Sequence, residues 1–325
     1  MKLVILDAYA ENPGDLSWDW LKDVVEEYDI YDITPPEKVV ERSIDADILV
    51  TNKTVLTAET LSQLPKLKFI STLSTGYNVI DTQYAAERGI PVSNIPAYST
   101  DGVAQLVFAL ILEIVNHVAL HNKSVKNGDW CRSEHFCYWK APIAELANKT
   151  LGIVGFGKIG SAVARIANAF GMNVIAYSPN TRTYNDFGKV DFVTIDEVIA
   201  NSDIISLHCP LTPSTDGLVD MEFLSKMKKT AILINTSRGP VINEADLKKA
   251  LDEGIIAAAG VDVLSTEPAK EDNPLLTCDN CIITPHIAWA SFEARSRLMN
   301  IFKSNVEAYI SGKPINVVNR KGEFI

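Results

Sequence analysis

The sequence predicts an α/β protein made of two open parallel-sheet domains. Three observations carry that expectation. Strand-like and helix-like segments alternate over residues 1–95 and again from Thr150 onward, the pattern of parallel βαβ units. A glycine-rich turn, Gly155-Phe156-Gly157-Lys158-Ile159-Gly160, joins a strand-like run to an apolar segment of helical period. At 325 residues with 47% hydrophobic content, the chain has the length and apolar stock for about two cores.

In the first set, Leu3–Leu6 reads as a strand and Leu16–Tyr28 as a helix carrying Trp18, Trp20, Leu21, Val24 and Val25. A strand at Tyr28–Ile33 stops at Pro35-Pro36, and Pro36 suits the first turn of a helix. Asp47–Thr51 and Lys68–Leu73 are the third and fourth strands. A short helix, Asp81–Arg88, ends at Gly89 before a fifth strand at Ile90–Ser93. A long helix from Thr100 to Val125 follows, then a polar and aromatic stretch, Asn127–Pro142, with Trp130, Phe136, Tyr138 and Trp139. That stretch reads either as a structural loop or as a cover for a subunit interface or active site.

The second set places strands at Leu151–Val154, Val174–Tyr177, Phe192–Thr194, Ile204–His208, Ile232–Asn235, Ala258–Val263 and Ile282–Thr284. Helices are expected at Glu222–Met227, Glu244–Glu253 and, last, Ser291–Tyr309.

Composition narrows the function classes. A net charge of −11 argues against nucleic acid or an anionic membrane as partner. Five cysteines without a secretory signal point to reduced thiols and a cytoplasmic protein. Cys278 and Cys281 have CxxC spacing, but no second pair or nearby histidine completes a metal set, so no metal site is expected. The apolar run Val103–Leu120 is interrupted by Gln105, Glu113, Asn116 and His117, which favours a buried helix over a membrane span.

The glycine turn carries chemistry. In strand–turn–helix–strand context, GxGxxG binds a dinucleotide. Gly155 permits the tight turn, Gly157 lets backbone approach the pyrophosphate, and Gly160 lets helix pack on strand. The phosphates meet free N–H groups at the helix N-terminus.

Three ionisable residues follow predicted strand ends, where open parallel sheets bind ligands. Arg238 follows Ile232–Asn235, Glu267 follows Ala258–Val263, and His286 follows Ile282–Thr284. Carbonyl reduction needs such a set. A guanidinium holds a carboxylate or polarises a carbonyl through paired hydrogen bonds. An imidazole gives a proton to the developing alkoxide as hydride arrives. A neighbouring carboxylate stabilises the imidazolium and fixes its ring.

These motifs resemble the D-isomer-specific 2-hydroxyacid dehydrogenases, over essentially the whole chain. Met227–Gly239 is similar to that family's arginine segment, Asp262–Pro268 to its glutamate segment and Pro285–Ala288 to its histidine segment. His208–Thr212 and Thr75–Asp81 are also similar. Tyr98–Thr100, the Phe136–Trp139 loop and Ile287–Ala290 look most like the glycerate dehydrogenase/hydroxypyruvate reductase branch.

The resemblance implies a Rossmann cofactor domain over 99–287 and a flavodoxin-like substrate domain over 1–98 and 288–325, with a cleft between them. It implies a homodimer through the long helix and the following loop. Arg238, Glu267 and His286 would be catalytic. Backbone N–H groups of Ser74, Thr75 and Gly76 would hold the substrate carboxylate. Lys158 and Ile159 would border the pyrophosphate, while Cys209, Thr236 and Asp262 would line the ribose and nicotinamide region, with Thr75 also near the cofactor.

One position departs from the dinucleotide fingerprint. An acidic residue is expected about 20 residues after the glycines to hold the ribose 2′-OH of NAD. Ser178 stands there, followed by Pro179-Asn180-Thr181-Arg182. NAD is the expected cofactor, with NADP the alternative that Arg182 would favour. The expected activity is reversible reduction of hydroxypyruvate or glyoxylate. Two rivals are weighed. Phosphoglycerate dehydrogenase would need a phosphate site, for which Lys53 is the candidate, and the chain's end at Ile325 predicts no C-terminal regulatory domain. A dinucleotide-sensing corepressor could retain the three residues without turnover.

Overall fold

Parallel pairing organises every strand in the computed structural model, which describes residues 1–179 and 187–319. The chain divides into two units, Met1–Ser99 with Ala290–Ile325, and Thr100–Trp289.

The first unit contains β1 (Lys2–Ile5), β2 (Glu27–Ile30), β3 (Ile48–Thr51), β4 (Phe69–Thr72) and β5 (Val92–Ser93), in the order β2-β1-β3-β4-β5. This is the flavodoxin-like order. β3 and β4 are buried at every residue, as strands covered on both faces must be. The C-terminal helix Phe292–Ile310 returns to this unit, capped by Ser291, whose hydroxyl accepts from Ala294 N. Tyr309 on it stacks on Phe69, and Phe302 is fully buried against the edges of Trp18 and Trp20.

The sequence predicts a helix over Leu16–Tyr28, but only a 3-10 turn, Asp19–Asp23, forms. The preceding residues are held as a loop by Asn12, whose side-chain oxygen accepts from Gly14 N and Leu16 N. Such local side-chain bonding competes with helix formation.

The second unit contains β6 (Thr150–Val154), β7 (Asn173–Tyr177), β8 (Asp191–Phe192), β9 (Ile204–Leu207), β10 (Ile232–Asn235), β11 (Ala258–Val261) and β12 (Cys281–Ile283). Their order is β12-β11-β10-β9-β6-β7-β8, the dinucleotide-binding arrangement extended by one strand. Alternate residues serve opposite faces. Ile232 and Ile234 join a core with the helices Thr100–Asn116 and Lys158–Ala169, while Leu233 joins the opposite core with Phe223, Leu224, Leu247 and Leu251.

The long helix expected over Thr100–Val125 is two helices, Thr100–Asn116 and Val118–Lys126, bent by 55°. His117 takes the left-handed conformation at φ +50°, and the Glu113 carboxylate accepts from Ala119 N, which supplies an acceptor at the break. No single helix is long and apolar enough to cross a membrane among the described residues; this bent pair meets that test only when taken together.

Candidate active site

The order of the second sheet reverses between β6 and β9, and a ligand crevice lies beyond the carboxyl ends of strands at such a point. The turn after β6 and the turn after β9 are pressed together there. Gly155 sits at φ +93°, and a Cβ on it would lie 2.6 Å from both Cys209 N and His208 C. Gly160 faces back on the same turn, where a Cβ would come within 2.5 Å of the Gly155 carbonyl oxygen.

Gly157 differs from both, because a Cβ there would meet nothing within 4 Å. It caps the helix Lys158–Ala169 and offers no side-chain acceptor to the first-turn N–H groups. Open space over free N–H groups at a helix N-terminus fits a dinucleotide pyrophosphate, which Lys158 and Ile159, the first two residues of that helix, would border.

Two other predicted cofactor residues, Ser178 and Cys209, follow segments that meet this turn. Gly155 N donates to Tyr177 O at 2.8 Å, which fixes the end of β7 immediately before Ser178. Cys209 is buried, and burial pushes its thiol up. Thr236 is buried with a hydroxyl that has no partner among the described residues. Arg182, Asn180 and Thr181 lie outside the described residues. His208 bonds the Ser206 hydroxyl through Nε2 at 2.9 Å, and burial lowers its imidazole to about 4, so it is neutral near pH 7.

The sheet registers bring the three ionisable residues out from neighbouring strands. Asn235 of β10 pairs with Val261 of β11, which pairs with Ile283 of β12. Arg238, Glu267 and His286 follow those strands in turn. His286 Nδ1 and Glu267 Oε2 are 2.7 Å apart. Glu267 Oε1 also accepts from Leu264 N at 3.2 Å. Arg238 is exposed, and its Nη1 donates to Ser237 O at 2.7 Å.

His286 holds a left-handed backbone, φ +54°, which costs a non-glycine residue of order 1–3 kcal/mol and persists only where the surroundings impose it. Asp262 imposes it. Its carboxylate is fully buried and accepts from Thr284 Oγ1 at 2.6 Å and from Ile287 N and Ala288 N at 2.9 Å each. Burial, only partly offset by these donors, raises its carboxyl above the usual range. The family resemblance implies a cofactor contact for Asp262; within this unit its carboxylate accepts from three donors of the histidine turn.

Asn235 was not singled out by its sequence, since it reads as the end of an apolar strand. Its Oδ1 accepts from Ser237 N and Oγ, and its Nδ2 donates to Arg238 O, so it shapes the arginine turn. An amide at the buried end of a strand, just before a predicted functional turn, is the signal that could have found it.

In the first unit, the loop after β4 carries Ser74, Thr75 and Gly76. Thr75 Oγ1 donates to Ile95 O and Ser74 Oγ to Gly76 O, which shape the turn. The N–H groups of Thr75 and Gly76 have no partner among the described residues, whereas that of Ser74 faces Thr72 Oγ1 at 3.4 Å. At the β1/β3 switch point the chain supplies its own anion: Asp7 accepts from the backbone N–H of Asn52, Lys53 and Thr54. That leaves Lys53 only its side chain for the phosphate role considered above. Among the described residues, no group of three His, Cys, Asp or Glu side chains could hold a metal ion.

This fold and turn geometry define a nicotinamide-dependent oxidoreductase, and comparison with known proteins agrees. Residues 108–288 match the family model described as D-isomer specific 2-hydroxyacid dehydrogenase, NAD binding domain. A hydroxypyruvate reductase of Blautia hydrogenotrophica is 48% identical over 322 residues, covering 98% of this chain and 100% of that protein. A glycerate dehydrogenase of Methylorubrum extorquens is 44% identical over 295 residues, covering 90% of this chain and 92% of that protein. A solved structure of an acyclic imino acid reductase in complex with NADPH and D-Arg superposes with a TM-score of 0.85 at 34% identity, covering 98% and 99% of the two chains. The chain belongs to the D-isomer-specific 2-hydroxyacid dehydrogenase family. It is an enzyme, and its second unit carries the family's NAD-binding domain.

Proposed function

We infer that this enzyme reversibly reduces hydroxypyruvate, and glyoxylate as a second substrate, to D-glycerate and glycolate with NADH. The observation that carries the reading is the His286–Glu267 pair at 2.7 Å on the rim that also holds Arg238. The names of the two relatives above, at 44% and 48% identity, support the substrate class.

The bound nicotinamide supplies or accepts the hydride. Arg238 holds the oxo-acid's carbonyl and carboxylate oxygens through its guanidinium N–H groups. His286, with Nδ1 bonded to Glu267, presents Nε2 to the substrate and gives its proton to the oxygen that becomes the hydroxyl. In the reverse direction the same nitrogen recovers that proton. Free N–H groups of Thr75 and Gly76 take the substrate carboxylate, with Ser74 shaping the turn.

NAD is the cofactor of this reading, since Ser178 can hydrogen-bond a plain ribose, with NADP the alternative that Arg182 would favour. The working form is a homodimer in the cytoplasm. Its interface uses the helix Val118–Lys126 and the following loop, where Val118, Trp130, Phe136, Trp139 and Ile143 are all exposed.

The test is oxidation of NADH and NADPH, each paired with hydroxypyruvate, glyoxylate, pyruvate and a bulky 2-oxo acid. Fastest turnover of NADH with hydroxypyruvate supports the reading. Preference for pyruvate or a bulky acid would move the enzyme to another branch of the family. Tight cofactor binding without turnover on any acid would point to the corepressor-like alternative.

A further inference from the structure

We propose that Glu244 is a positioning residue for the reaction, one carboxylate that staples both ends of the loop carrying Glu267. This rests on the reading of Glu267 and His286 as the catalytic pair.

Residues 265–272 are exposed, and an exposed loop holds a catalytic side chain in place only if its base is tied down. Glu244 does the tying from a rigid element. It is the first residue of the helix Glu244–Asp252, whose N-cap, Asn243, accepts from Ala245 N and Asp246 N. Its Oε1 accepts from Ser265 N at 2.7 Å, at the start of the loop. Its Oε2 accepts from Asn273 Nδ2 at 2.9 Å, at the far end. Asn273 is itself fixed, because its Oδ1 accepts from Leu275 N at 3.0 Å.

A second contact presses the same loop base toward the arginine turn. A Cβ on Gly239, the residue after Arg238, would overlap the carbonyl of Leu264 and the nitrogen of Ser265. Leu264 N in turn donates to Glu267 Oε1, and Glu267 Oε2 bonds His286. A continuous path thus runs from Glu244 through Ser265 and Leu264 to Glu267 and the imidazole. A misplacement of about 1 Å in such a constellation costs on the order of 100-fold in rate. An acidic residue in the first turn of a helix also favours that helix, but that effect would not depend on Glu267.

The experiment is a double-mutant cycle read in kcat, KM and cofactor affinity, with E244A, E244Q, E267Q and E244A/E267Q. E244A is expected to lower kcat about 10- to 100-fold with KM for the nicotinamide cofactor within about 2-fold. E244Q, which keeps an oxygen for Ser265 N, should recover most of that loss. In the E267Q background, E244A should change kcat by less than about 2-fold, because the two residues act as one unit. Should E244A fail to fold, N273A removes the far staple together with the Asn273 cap on Leu275 N, leaves the Ser265 staple in place, and is expected to lower kcat about 3-fold in the native background and not in E267Q. Equal losses in both backgrounds, or wild-type kcat in E244A, would overturn the assignment. Wild-type kcat in E267Q would instead bring down the catalytic reading, and this inference with it.

Discussion

Glu267 Oε2 lies 2.7 Å from His286 Nδ1, although the two residues leave different strands of the sheet. With Nδ1 committed to a carboxylate, the ring is oriented and Nε2 is the nitrogen left for proton exchange. The turn that carries the ring is held by Asp262, and the arginine turn by Asn235.

The Asp262 turn gives a first prediction. D262A strands three donors, Thr284 Oγ1, Ile287 N and Ala288 N, and releases the left-handed residue they constrain. It should cost about 2–4 kcal/mol of stability and lower kcat by more than about 10-fold. Urea unfolding and steady-state kinetics check both effects. D262N, which keeps one accepting oxygen, should lose less stability than D262A.

The fingerprint glycines should separate folding from binding. G157A adds a methyl into open space over the helix N-terminus. Its Tm should stay within a few degrees of wild type while cofactor Kd rises at least about 10-fold, since the methyl stands where the pyrophosphate must approach. G155A forces a Cβ onto the His208–Cys209 backbone at positive φ and should lower stability by more than about 2 kcal/mol. Calorimetry with and without NADH distinguishes the two behaviours.

His208 predicts an acid-dependent loss of stability. Its folded value, about 4, lies below its ordinary 6.5, so the unfolded chain takes up the proton first as pH falls. This contribution is fully present above pH 6.5 and is lost progressively as pH drops toward 4. The residue keeps partial exposure, so the loss should amount to about 1–2 kcal/mol rather than the roughly 3 that the whole shift would carry. H208N should show a shallower fall in urea midpoint between pH 6.5 and 4.5 than wild type.

Much of this architecture was legible because it is written in local patterns. Most strands of both sheets are short apolar runs between turn residues, the edge strands β2 and β8 being the exceptions, and the glycine turn has a fixed spacing. The helix expected at Leu16–Tyr28 was not, because Asn12 ties the chain into a loop through bonds that periodicity does not reveal. The break at His117 was hidden for a similar reason: apolar residues continue through it, and the acceptor that stabilises the second helix comes from Glu113. The ionisable residues could be picked out at strand ends, but their support could not. Glu244 lies 21 residues from Ser265 and 29 from Asn273, so only the folded chain shows that one side chain serves both.

The most direct test measures the H286A and R238A variants for turnover of hydroxypyruvate with NADH, alongside NADH affinity by fluorescence. The account predicts kcat/KM reduced at least about 1,000-fold in each, with NADH Kd within about 3-fold of wild type. Near-normal turnover in either variant would contradict the assignment of proton transfer to His286 or of substrate clamping to Arg238.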